Sequence, residues 1–95
     1  MEVIIKKSSK KGKKFKAVID GKKTIHFGAE GYSDFTIHKD EERKQRYINR
    51  HKKRENFNDP LTASFYATNV LWNKPTLKQS IADINKKYNI NAKLK

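Results

Sequence analysis

Residues 15–27, "FKAVIDGKKTIHF", decide how the first third of this chain folds. Phe15, Ala17 and Ile19 fall on one side of an extended chain and Lys16 and Val18 on the other, the period of two of a half-buried strand. Asp20-Gly21 follows as a short hairpin signal, because glycine supplies the positive φ that a tight turn needs. "KKTIHF" then returns as a further strand. Upstream, "EVII" at 2–5 is a short apolar run, and "SSKKGKK" at 8–14 is a basic loop joining it to the hairpin. Residues 1–27 are expected to form a three-stranded antiparallel meander.

The remainder reads as helical. Residues 28–38 form a connector in which Gly28 and Gly31 break regular structure, with Tyr32 and Phe35 expected to fold back onto the sheet edge or the helices. A first helix is expected over 39–54. Asp40, Glu41 and Glu42 sit in its first turn and Arg50, Lys52, Lys53 and Arg54 in its last, an order that suits the helix dipole at both ends. Asp59 is a candidate N-cap with Pro60 in the first turn of a second helix. That helix, 61–72, is apolar nearly all round and so belongs in the core. Thr76 and Gln79 have capping-box spacing, and Leu77, Ile81, Ile84 and Tyr88 make an amphipathic stripe behind them. Leu61, Phe65, Leu71, Trp72, Leu77, Ile81, Ile84 and Tyr88 are the expected core. After the helical part, 39–89, residues 90–95 are expected to fray. The class is α+β: a meander followed by three helices in one small domain.

Composition narrows the function. Lysine and arginine total 23 against 10 acids, a net charge of +13 at pH 7. A magnitude of about 2 to 8 suffices to keep a small domain soluble, and a larger positive charge attracts polyanions. With no cysteine, a disulfide framework and thiolate metal sites are excluded. No apolar run approaches the roughly 20 residues of a membrane span. At the N-terminus the charges follow the apolar residues, the reverse of a secretory signal. The serines sit in no nucleophile motif, and no glycine-rich phosphate loop is present; Gly28 and Gly31 read as plain turns. His51 and Glu55 are four apart, a spacing that places two metal ligands on one helix face, but an exposed helical pair explains them as well. Asp34, Asp40, Glu41 and Lys44 could be arranged as a nuclease-like cluster, yet the acids are accounted for by a helix N-terminus. The expectation is a non-enzymatic protein with no metal and no cofactor.

Every arginine of the chain lies between Arg43 and Arg54. Arg43, Arg46, Arg50 and Lys53 are spaced three, four and three apart, which keeps them on one helical stripe, and Arg54 borders it. Tyr47, Ile48 and His51 are the residues left to seat the helix. Arginine presents a planar fork that matches phosphate oxygens. A solvated face with intrahelical ion pairs is the competing explanation, but acids are scarce after Glu42. The candidate nucleic-acid-binding residues are therefore Arg43, Arg46, Arg50, Lys53 and Arg54, with Lys10, Lys11, Lys13 and Lys14 of the basic loop following a phosphate backbone. Aromatic-studded strand motifs of common single-strand readers are missing, so duplex DNA is the first expectation and RNA the second.

"HFGAEGYSDFTIHKDEERKQRYINRHKKREN" followed by "LWNKPTLKQSIADINKKY" resembles a family of short basic proteins of the large DNA viruses of eukaryotes, the nucleocytoplasmic large DNA viruses. The resemblance covers roughly residues 26–88. That family carries no assigned activity, so no catalytic residue is carried over. What it implies is setting: a protein of the virion or the infected cell, in a viral factory or the nucleus. DNA binding fits such a setting. A minor structural component bridging capsid or core proteins is the alternative.

Overall fold

The computed structural model describes residues 1–53 and 56–95. Four strands form one sheet: β1 (Glu2–Lys7), β2 (Lys13–Ile19), β3 (Lys23–Ala29) and β4 (Asn91–Leu94), in the order β3-β2-β1-β4. β1, β2 and β3 are the expected antiparallel meander. At the Asp20-Gly21 turn both residues carry positive φ, 52° and 67°, as a type I′ turn requires, and the Lys22 N–H donates to the Ile19 carbonyl at 2.9 Å. The alternation predicted for β2 extends across the sheet. Val3, Ile5, Ala17, Ile19, Ile25, Phe27 and Ala92 are buried on one face, and the register places Val3 beside Ile19 and Ala92, and Ala17 beside Ile5 and Ile25.

β4 overturns the expected fraying of 90–95. It pairs parallel to β1, Glu2 opposite Asn91 and Ile5 opposite Leu94. Two side-chain locks hold it. The Asn85 amide donates to the Ala92 carbonyl at 3.0 Å and accepts from the Ala92 N–H at 2.7 Å, and Asn91 Nδ2 donates to Glu2 Oε1 at 2.7 Å. Asn89, at φ 53°, turns the chain out of the preceding helix, a left-handed position that asparagine tolerates.

Four α-helical segments follow the meander rather than three: α1 (Phe35–His38), α2 (Glu41–His51), α3 (Ala63–Tyr66) and α4 (Leu77–Tyr88), with a π-helical stretch, Ala67–Leu71, continuing α3. The connector therefore contains α1, capped by Asp34, whose carboxylate accepts from the Thr36 N–H at 2.9 Å. α2 is shorter than the predicted 39–54; Asp40 caps it, accepting from the N–H groups of Glu42 and Arg43. Thr62 caps α3 in place of Asp59, because the Asp59 carboxylate accepts from Leu61 N–H in the preceding turn. Leu61 is thereby left 48 % exposed instead of in the core. Only half of the capping box forms at α4: Thr76 Oγ1 accepts from Gln79 N–H, but the Gln79 side chain meets the Thr76 hydroxyl and not its backbone.

Phe65, Leu71, Ile81 and Ile84 are buried as expected, joined by Tyr66 and Val70, and the whole set lies on the apolar sheet face. Trp72, Leu77 and Tyr88 pack at its margin, half-buried. The π-helical stretch has a local cause. Asn69 is buried and its amide donates to the carbonyls of Phe57 and Phe65, a side-chain insertion of the kind that widens a turn.

Candidate nucleic-acid interface

α2 has no fully buried residue. An aromatic chain on one flank seats it. Tyr47 stacks on Trp72, ring centroids 4.3 Å apart and planes 3° apart, and its ring lies 4.3 Å from that of His51. Trp72 meets His38 at 5.2 Å, and His38 meets Phe35 at 6.2 Å. Lys44 adds a polar tie: its ammonium donates to the Asn73 carbonyl at 2.6 Å and lies 4.9 Å from the Phe35 ring centroid. Tyr47 thus docks the helix, as its place beside the arginine stripe suggested, while the His51 ring packs on Tyr47 from within α2. The Trp72 and Lys44 contacts join elements far apart in the chain, so no local pattern announced them.

Arg43, Arg46 and Arg50 are exposed. Among the described residues no carboxylate pairs with them, and no side-chain hydrogen bond engages their guanidinium groups. The three line one cleft of about 290 Å³ together with Tyr47. Arg43 and Arg50 also line a larger groove, of about 440 Å³, shared with Tyr32, Ser33, Tyr47 and Trp72. Lys53 is exposed but lies beyond the end of α2, so the helical stripe is three arginines long. Arg54, and with it the His51–Glu55 pairing, lies outside the described residues.

The loop lysines divide. Lys10, Lys11 and Lys13 are exposed. Lys14 is not a free cation: its ammonium lies 2.6 Å from Asp34 Oδ2, with side-chain exposures of 14 % and 3 %. With the carboxylate buried and the ammonium largely covered, this is a structural pair that ties β2 to the cap of α1. Gly28 makes the close packing beside it feasible. With φ at +80°, a Cβ there would come within 2.8 Å of Leu71 Cδ1 and 3.2 Å of Lys14 Cβ.

Tyr32 departs most from expectation. Phe35 folds back, 2 % exposed, but Tyr32 stays 74 % exposed and lines the larger groove. A tyrosine between two glycines and a helix cap gives no periodic signal for its side; only its place next to Gly31, which bends the chain outward at φ 88°, could have marked it. His26, the third histidine, sits on β3, with Nδ1 2.7 Å from Ser8 Oγ.

Residues 3–51 match the DUF5754 family of unknown function, just over half of the chain. The chain belongs to that family. The DUF5754 region runs from β1 to the last residue of α2, so it holds the meander, Tyr32, the Lys14–Asp34 pair and Arg43, Arg46 and Arg50, and stops short of α3. No curated protein and no solved structure matches the chain.

Proposed function

We propose that this DUF5754 protein is a non-enzymatic nucleic-acid-binding protein, taking DNA before RNA, that holds phosphates on the exposed face of α2. One observation carries the reading: Arg43, Arg46 and Arg50 stand side by side on a helix with no acid among the described residues to neutralise them. An arginine row that supports neither the core nor an ion pair is placed to meet an anion from outside, and its fork geometry suits phosphate. Lys10, Lys11 and Lys13 add a second basic element. The resemblance to basic proteins of large eukaryotic DNA viruses supports a setting in a virion or infected cell, where the abundant polyanion is the genome.

The test is a salt titration of binding to a labelled DNA. Neutralising about five phosphates gives a slope of log K against log salt near −4 to −5. Changing Arg46 and Arg50 together to glutamate weakens binding to all sequences alike, because phosphate contacts position without specifying. The melting temperature stays within a few degrees of the parent, since both side chains are exposed. A parent that ignores DNA at low salt defeats this reading. The face would then serve a protein contact, and the structural-component reading would replace it.

A further inference from the structure

Phosphate binding accounts for the arginines and leaves Tyr32 without a role. Its ring makes no aromatic contact and its hydroxyl no hydrogen bond among the described residues, although it lines the same groove as Arg43 and Arg50. The other rings of that groove are engaged: Tyr47 with Trp72 and His51, and Trp72 with His38 as well. The groove thus presents two exposed guanidinium groups and one uncommitted aromatic face. Its backbone is anchored, since the Tyr32 N–H donates to the Ala29 carbonyl at 3.3 Å and the Glu30 N–H to the Gly12 carbonyl at 3.0 Å.

A ligand that satisfies both features carries a flat ring beside phosphates. In a duplex the faces of each base are covered by their neighbours, whereas an unpaired base has a face to give. Base–aromatic stacking together with a basic track is how single strands are held without sequence preference. We infer that the groove holds an unpaired base of a single-stranded nucleic acid, stacked on Tyr32, with its flanking phosphates on Arg43 and Arg50. This rests on the nucleic-acid reading above and adds a strand preference to it. The aromatic stands on a loop, which is why the absence of aromatic strand motifs did not announce it.

The experiment compares the parent, Tyr32→Ala and Tyr32→Phe against three probes at one salt concentration: a single-stranded oligothymidylate, a duplex of the same length, and inorganic polyphosphate. Tyr32→Ala is expected to weaken oligothymidylate binding about 5- to 150-fold, the range of one lost stacking contact. It should leave duplex binding and polyphosphate binding unchanged. Tyr32→Phe keeps the ring and restores parent affinity. Trp72, the single tryptophan of the chain, lines the groove and is expected to change its fluorescence with oligothymidylate and not with polyphosphate. Equal losses with all three probes, or no loss with the single strand, overturn the inference while leaving phosphate binding by α2 intact. A parent that binds none of the three overturns both.

Discussion

Tyr47 lies flat against Trp72, their planes 3° apart, and this contact fixes where the arginine face of α2 points. Tyr47→Ala removes a half-buried ring together with a stacked pair worth about 0.5 to 1.5 kcal/mol beyond its buried area. The expected loss of stability is about 1 to 3 kcal/mol by thermal or urea unfolding. Nucleic-acid affinity should fall as well, because Arg43, Arg46 and Arg50 lose their common placement. A variant as stable as the parent would mean that Lys44 and the caps seat α2 without the stack.

Lys14 and Asp34 form a part-buried pair, and removing Lys14 strands a buried carboxylate. Asp34→Ala also removes the α1 cap, where the carboxylate accepts from Thr36 N–H and from the Thr36 hydroxyl. A loss of about 3 to 5 kcal/mol is expected. The double variant Lys14→Met with Asp34→Asn should recover part of it, since a neutral amide can still cap and no ammonium is left unpaired. Chemical unfolding of Lys14→Met, Asp34→Asn and the double variant measures the coupling. Additive losses would sink the assignment of Lys14 to structure over phosphate binding.

Deleting residues 90–95 tests the overturned expectation at the C-terminus. With β4 gone, the N–H and carbonyl groups along the outer side of β1 lose their partners, Val3 loses its neighbour Ala92 and Ile5 its neighbour Leu94. A lowered melting temperature and concentration-dependent association are expected, since an uncovered strand edge invites pairing with another chain. Size-exclusion chromatography over a concentration series reads the second effect. A truncated chain that melts with the parent and stays monomeric would show β4 to be ornamental.

Asp83 gives the protein a calculable acid response. Its carboxyl is held below its usual 3.8, chiefly because Asn73 Nδ2 donates to it at 2.8 Å, with Lys87 and Lys74 helping against partial burial. A carboxylate with a depressed pKa stabilises the fold above its unfolded value and loses that contribution as pH falls through the folded one. Asn73→Ala should therefore cost up to about 1 kcal/mol at neutral pH. The part due to Asp83 ionisation should shrink below about pH 4, in a series of melts at stepped pH. A difference that stays constant down to the acid limit would place the whole effect of Asn73 elsewhere.

The local sequence carried the meander, Tyr47 as a docking residue of α2 and the arginine cluster, because each rests on periodicity or turn chemistry within a few residues. Thr62 over Asp59 as the α3 cap was harder: both residues suit the position, and only the turn formed by Asp59 and Pro60 decides. β4 was hidden for another reason. "NAKL" is short and half polar, and it becomes a strand through the Asn85 lock and through the free edge of β1, which lies at the far end of the sequence from it. Tyr32 and Lys14 mirror each other. Tyr32 was expected to fold back onto the sheet edge or the helices and is exposed; Lys14 was expected among the phosphate-binding loop lysines and is tied to a buried carboxylate.

The order β3-β2-β1-β4 also bears on how the chain is born. β1 is the first of the four strands to be synthesised and β4 the last, yet they lie side by side. Until β4 has emerged, β1 can pair only on its β2 side and behaves as an edge throughout synthesis. The meander is a local unit able to form early, but joining β4 must wait for the helical segments α1 to α4 between them and carries the loop-closure cost of that long separation. Lys6 and Lys7, which close β1 in a charged end, stand where an unfinished sheet is most open to unwanted pairing, and like charges there repel a second nascent copy.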